Sequence, residues 1–321
     1  MTFARTCVVG AGLIGGSVAR RLMALGVDVV VVDPDPATLE HAAGVGLATA
    51  PAVPADRDLV VLAAPLHVLS AVMVDVAAAA PDAVVVDLGS VKQVPATAAA
   101  NAGLAERYVG AHPMAGTEHS GFAHSADDLL VGVTWAVTHG VAPGAAATVA
   151  RVVGWVAETF EAEVVVLDAV AHDRSVALVS HGPHAVAHAL LSVAECSPDA
   201  GVASHLAAGS FRDGTRVAGR NAARTGNMLA ENAAALGPVL DEVIAELTGL
   251  RADLTDPVAL RVRLERIEEA AGTVRHAETP FESCASLVDL VESSRASGRA
   301  VVVRLRDGEL ETATPAGRKS E

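Results

Sequence analysis

Aromatic residues are nearly missing from this chain: Phe, Trp and Tyr together make up 2% of its 321 residues. Hydrophobic residues still reach 51%, much of it alanine and valine, so the core must be assembled from many small side chains. Positive charge is also scarce, with 23 Lys and Arg against 38 Asp and Glu and a formal net charge of −15. That balance argues against nucleic acid and anionic membrane surfaces as partners, because their phosphates would be repelled. Positive charge for an anionic small molecule must then be local, and single arginines gain weight. Cysteine is limited to Cys7, Cys196 and Cys284. An odd number without metal-ligand spacing speaks against a disulfide framework and fits small hydrophobes in a reducing cytoplasm. No internal repeat of about 20–50 residues is visible. The apolar stretch 59–74 is interrupted by Pro65 and His67, and no run reads as a membrane span. Arg5 and the apolar residues 7–19 could pass for a leader, but the glycines there would weaken its helix. A soluble, cytoplasmic protein is expected.

Short β-branched runs alternate with alanine-rich helical stretches through the first half. Strands are predicted at 7–9, 29–33, 59–63, 84–87, 108–111, 134–138 and 163–167, with helices near 13–25, 36–43, 68–79, 93–105 and 146–158. Continuous apolar strands separated by helices predict an α/β fold: a Rossmann-type, doubly wound parallel sheet covered on both faces. The alternation then stops, and residues 169–275 show helical periodicity alone. One stripe, Leu260, Leu264, Ile267 and Ala271, needs a partner within the domain or across a dimer interface. The expected division is 1–168 for a nucleotide-binding domain, 169–275 for a helical domain and 276–321 for an extension. Within the extension, 299–313 reads as a hairpin around Asp307-Gly308, followed by a loose polar tail.

Gly10-Ala11-Gly12-Leu13-Ile14-Gly15 follows the first strand and opens the first helix. Gly10 permits the tight turn, Gly12 lets backbone approach a pyrophosphate, and Gly15 lets helix and strand pack closely. The free amides of Leu13, Ile14 and their neighbours at the helix start favour phosphate. Asp33, at the end of the second strand, is placed to accept hydrogen bonds from the adenosine ribose. A 2′-phosphate would meet Asp33 and Asp35 with no adjacent arginine, so the cofactor expected is NAD and not NADP.

The segment GAHPMAGTE at 110–118 sets His112 on a turn stiffened by Pro113, just past an apolar strand. An imidazole fixed beside a nicotinamide can take a proton from an alcohol while its carbon loses hydride. Ser90, within DLGSVK at 87–92, ends another strand at the same crevice; it either bridges His112 and substrate or caps the next helix. Glu118 could orient, accept a substrate cation or be solvated. In Ser180-His181-Gly182-Pro183-His184, Pro183 should free a carbonyl and kink a helix. His181, His184 and His188 share a face, but no further carboxylate or cysteine stands at ligand spacing, so no metal is expected. Arg212 and Arg216, four apart, could clamp a dicarboxylate if helical, or mark a solvated turn.

Together these segments resemble the prephenate dehydrogenase family of tyrosine biosynthesis, which includes arogenate dehydrogenases. GLIGGS at 12–17, DLGSVK at 87–92, GAHPMAGTEHSG at 110–121, HD at 172–173, VSHGPHAVA at 179–187 and FRDGTRVA at 211–218 occur in family order. The resemblance implies that His112 is the catalytic histidine, Ser90 its supporting hydroxyl and Arg216 the residue for the substrate carboxylate. His181 and His184 match the helix that lines the pocket. It further implies NAD-dependent oxidative decarboxylation of prephenate to 4-hydroxyphenylpyruvate, at a site between the domains of a homodimer joined through the helical part. Arg212 and Thr225 stand where some relatives carry lysine and tryptophan, and Glu118 could pair with the amine of arogenate or another amino-substituted relative. The extension is too short for a complete regulatory ACT domain. Two other readings are a 3-hydroxyacid-type dehydrogenase working through Lys92 and a non-catalytic NAD-binding sensor.

Overall fold

The computed structural model describes residues 2–315 except 116–118, 141, 220 and 276–279. The chain forms two compact units, residues 1–172 with 279–321, and residues 173–278.

The first unit begins as the alternation predicts: β1 (Arg5–Val9), α1 (Leu13–Ala24), β2 (Asp28–Val32), α2 (Pro36–Gly44), β3 (Ala48–Thr49), β4 (Leu59–Leu62), α3 (Leu66–Ala79), β5 (Val84–Asp87), α4 (Gln93–Asn101), β6 (Tyr108–Pro113), β7 (Trp135–Thr138), α5 (Ala146–Phe160) and β8 (Val164–Leu167). Successive side chains leave a strand on opposite faces, and both faces are buried. Val8, Val61 and Val86 join the core that holds Trp135, Trp155 and Phe160, while Cys7, Val60 and Val85 join the one around Met73 and Tyr108. Valine, β-branched and stiff, suits such doubly covered strands and compensates for the shortage of rings.

The second unit is helical: α6 (Ala169–Val176, which starts in the first unit), a π-helical turn at Ala177–His181, α7 (Gly182–Glu195), α8 (Ala200–Leu206), α9 (Gly209–Thr215), α10 (Ala222–Glu231), α11 (Ala233–Asp253) and α12 (Pro257–Arg275). Its own buried apolar cluster is small, centred on Ala177, Leu236 and Val239. Val179, Val193, Leu206, Ile244, Leu247 and Leu254 are all more than half exposed. By length and composition the helical run 169–195 is long and apolar enough to cross a membrane, which corrects the expectation that no run reads as a span. It buries His172, Asp173 and His181 along its length.

The chain then returns to the first unit with β9 (Glu282–Ser283), α13 (Leu287–Ser297), β10 (Val301–Arg306) and β11 (Glu309–Ala313). The expected hairpin is present, with φ of 52° at Asp307 and 82° at Gly308. Positive φ at both positions is the mark of a tight type I′ turn. The sequence pattern does not reveal that β10 pairs antiparallel with β8 and so extends the main sheet. Among the described residues the strand order across the sheet is β3-β2-β1-β4-β5-β6-β7-β8-β10-β11-β9. α13 is stapled below it by the Arg295 guanidinium on the Ala142 carbonyl (2.6 Å) and by Ser294 Oγ against His139 Nε2 (2.9 Å).

The sheet is parallel from β3 through β6, but β7 runs antiparallel to β6, with His112 opposite Ala136. Residues 114–134 hold one short 3-10 turn, Phe122–His124, and no longer helix among the described residues. Without a crossover helix the chain folds back on the edge it has just left, and antiparallel pairing follows.

Candidate active site

The glycine loop has the shape a dinucleotide needs. Gly10 adopts φ of 91°, and a Cβ on Gly15 would lie 2.0 Å from the Gly10 carbonyl oxygen. Helix and strand therefore touch at Gly15, and no larger residue fits. A Cβ on Gly12, by contrast, would meet nothing within 4 Å, so backbone there faces open space. Gly12 is also the N-cap of α1 and supplies no side-chain cap. The first amides of the helix are left for an anion, with the helix dipole in support. Leu13 is buried and Ile14 half-buried, which seats that first turn on the core.

Asp33 ends β2 beside this loop. Its Oδ2 accepts from the Ala11 amide at 2.7 Å and its Oδ1 from the Asp35 amide at 2.9 Å. Each oxygen keeps a second lone pair, so the fixed carboxylate can still accept from ribose hydroxyls. Asp35 is committed elsewhere: it caps α2 through the amides of Ala37 and Thr38.

Next along this edge lies a polar group the sequence reading left without a role. Asp87 closes β5 and is fully buried, as is the Lys92 side chain. The Lys92 ammonium donates to Asp87 Oδ1 and, at 2.9 Å, to the Ala111 carbonyl. The Tyr108 hydroxyl donates to Asp87 Oδ2 at 2.6 Å and the Gly89 amide to Oδ1 at 2.9 Å. A buried charge pair persists only when its remaining hydrogen-bond capacity is used in this way. The cluster grips β6 one residue before His112. A Cβ on Gly110 would strike Lys92 Cδ at 2.7 Å, so that glycine makes room for the lysine. Lys92 is thereby enclosed and bound, which removes the support for a dehydrogenase that uses it as its base. Ser90 is half-buried at the end of β5, and it is Lys92, not Ser90, that occupies the N-cap of α4. The helix-capping alternative for Ser90 is not realised.

His112 stands on β6 two residues beyond Gly110, which is level with Asp87 in the sheet. At a rise of about 3.3 Å per residue this carries it ~7 Å past that level, at the strand ends where open α/β sheets bind ligands. Its ring is half-buried, and Nδ1 lies 3.0 Å from Nε2 of His172, with the ring planes 65° apart. His172 is itself buried, on the first turn of α6, where the Asp168 carboxylate accepts from the Ala171 amide at 2.8 Å and fixes the helix start. Only the motif HD at 172–173 marked this residue in the sequence, and its spacing from His112 gave no sign that the two meet. Glu118 lies outside the described residues.

In the helical unit the expected irregularity at Pro183 appears as the π-turn that precedes it. His181 is buried and turns to Asn232, His184 Nδ1 lies 3.0 Å from the Ser180 carbonyl, and His188 Nδ1 lies 2.8 Å from the His184 carbonyl. The three imidazoles shared a face in the sequence pattern but take separate partners. Arg212 lies on α9 and Arg216 is its C-cap, one turn apart, and both are exposed.

These pieces define a class: an NAD-dependent oxidoreductase built on a Rossmann-type sheet with a helical companion. Comparison with known proteins supplies the family. Residues 18–167 match the nucleotide-binding domain of prephenate dehydrogenase, and residues 168–259 match its dimerization domain. A cyclohexadienyl dehydrogenase of Zymomonas mobilis is 33% identical over 267 residues, covering 78% of this chain and 88% of the relative. Among solved structures, prephenate dehydrogenase from Aquifex aeolicus in complex with hydroxyphenyl propionate and NAD+ superposes with a TM-score of 0.75 at 25% identity, covering 84% of this chain and 98% of that one. Arogenate dehydrogenase from Synechocystis gives 0.72 at 25% identity, covering 84% and 99%. The chain belongs to the prephenate dehydrogenase family.

Proposed function

We propose that the protein oxidises and decarboxylates prephenate with NAD, and that His112 is its general base. The observation that carries this reading is the His112–His172 contact at the strand-end edge that also holds the glycine loop. NAD, when bound, supplies the hydride acceptor. For Nε2 of His112 to accept a proton, its Nδ1 must carry the hydrogen, and Nδ1–H then donates to an unprotonated Nε2 of His172. The same bond persists when His112 becomes imidazolium, so His172 stabilises the charge formed during the step.

The chemistry balances through one imidazole. His112 takes the ring hydroxyl proton as the carbon bearing that hydroxyl gives up hydride. The bond from ring to carboxylate then breaks, carbon dioxide leaves, and its electron pair completes the aromatic ring. The oxygen, now a phenolate, takes the proton back from His112. The protein need only position groups and stabilise charge, because aromatisation drives the step. Ser90 would bridge His112 and the hydroxyl, Arg216 and Arg212 would hold carboxylates, His181 and His184 would line the pocket, and Gly10, Gly12, Gly15 and Asp33 would hold the dinucleotide. The domain scheme is a nucleotide-binding part to about residue 168, a substrate and dimerisation part to 275, and an extension from 276.

The exposed apolar side chains of the helical unit support a homodimer through that unit, because patches of this kind mark interaction surfaces. Sedimentation should report twice the chain mass. The activity test follows reduced-cofactor absorbance with prephenate and with arogenate, each with NAD and with NADP. Turnover of prephenate with NAD is the expected result. Preference for arogenate would move the assignment to the amino-substituted substrate, and no turnover with any pair would overturn the reading.

A further inference from the structure

Tyr108, Gly110 and His112 alternate along β6, so they belong to one face of the strand. Gly110 leaves a gap on that face, and Lys92 fills it. A Cβ at position 110 would lie 2.7 Å from Lys92 Cδ, 2.8 Å from Thr138 Oγ1 and 3.3 Å from Asp87 Oδ2. The lysine stem therefore crosses the strand at the level between Tyr108 and His112. Its ammonium makes two bonds that serve different segments. The one to the Ala111 carbonyl, at 2.9 Å, fixes the peptide that joins Ala111 to His112. The one to Asp87 Oδ1 closes the turn 87–92 on itself, with the Gly89 amide on the same oxygen at 2.9 Å. Ser90 is carried on that turn. Tyr108 completes a ring of contacts, since its hydroxyl donates to Asp87 Oδ2 at 2.6 Å. Asp87, Lys92 and Tyr108 are 0%, 1% and 0% exposed, so solvent does not compete for these bonds. A buried ion pair is often no more stabilising than apolar residues of the same volume, so what this one adds is geometry.

We propose that Lys92 is a positioning residue for the reaction: through Asp87 and the Ala111 carbonyl it sets the spacing between Ser90 and the His112 imidazole. The inference rests on the reading of His112 as general base and of Ser90 as its bridge to the substrate hydroxyl. One ammonium holds both backbone segments that carry the reacting groups, so neither drifts against the other. Such orientation matters, because a misplacement of about 1 Å can cost on the order of a hundredfold in rate. The lysine acts through these two groups and not as a base of its own.

A double-mutant cycle with His112→Asn separates this role from a structural one, using prephenate and NAD with rates expressed per NAD-binding site. Lys92→Met should lower kcat about ten- to a hundredfold, with the KM for prephenate and for NAD within about threefold of wild type. In the His112→Asn background the same substitution should cost less than about threefold, because its effect runs through an imidazole that is already gone. An equal fold-loss in both backgrounds overturns the proposal, as does a loss confined to KM. Tyr108→Phe deletes one hydroxyl and keeps the ion pair, so it carries the cycle if Lys92→Met does not fold. A fall in kcat of about three- to tenfold is expected there, again only where His112 is present. Imidazole NMR spectra need no turnover: the His112 resonances, identified by His112→Asn, should move in Tyr108→Phe, and unmoved resonances overturn the proposal. Absence of turnover by the wild-type chain on either ring acid would sink the functional reading alone, while the spectra still decide whether the cluster holds His112.

Discussion

Nδ1 of His112 lies 3.0 Å from Nε2 of His172, and one hydrogen serves both rings. Only the arrangement with that hydrogen on His112 leaves a basic Nε2 for a substrate hydroxyl. His172→Leu should therefore lower kcat by roughly ten- to a hundredfold while leaving NAD binding near normal, because general-base catalysis contributes about 10²–10⁴ and depends on the correct tautomer. His172→Gln keeps an acceptor near the Nε2 position and should retain more activity. Equal losses in both variants, with cofactor affinity also reduced, would show a structural role instead.

The glycine loop separates packing from binding. Gly12→Ala adds a methyl group that meets nothing within 4 Å in the protein, so melting temperature should be unchanged while NAD affinity falls. Gly15→Ala places its methyl group 2.0 Å from the Gly10 carbonyl oxygen and should destabilise the fold itself. Thermal melts with and without NAD check both. Loss of stability in the Gly12 variant would show that its open side is not reserved for a ligand.

Lys92 and Asp87 form a buried pair against β6, the strand that carries His112. Lys92→Met leaves the carboxylate uncompensated and should cost about 3–5 kcal/mol in denaturant unfolding. A nearly neutral result would mean that Asp87 takes up a proton at little cost when its partner is gone.

Burial pushes the His139 imidazole below its ordinary pKa, with Asp168 nearby opposing the shift and Arg295 adding to it. The folded state then binds fewer protons than the unfolded chain, so stability is complete above about pH 6.5 and declines as pH falls below that value. His139 is joined to Ser294 of α13, so the loss should concentrate in the C-terminal strands. Hydrogen exchange of β10 amides at about pH 7.5 and about pH 5.5 measures it. His139→Gln, which cannot be protonated, should flatten the dependence.

The strands of the first unit and the glycine loop were legible in the sequence because valine runs and glycine spacing are local signals. His112 was legible too, through a proline and glycines that stiffen its turn. Its partner was not: 60 residues separate His112 from His172, and only the folding of α6 brings them together. The antiparallel β7 escaped notice because strand direction depends on the connection, not on the strand's own residues. The tail hairpin was visible at Asp307-Gly308, but β-pairing partners are set by tertiary contact, so its attachment to β8 was not. Asn232 carries no local signal in the sequence, because the inward turn of its carboxamide depends on tertiary contact.

The central claim is that His112 takes the substrate proton, and single-turnover kinetics of His112→Asn with prephenate and saturating NAD test it most directly. Hydride transfer is expected to slow by about 10²–10⁴ with NAD affinity retained. Transfer at the wild-type rate would contradict the account.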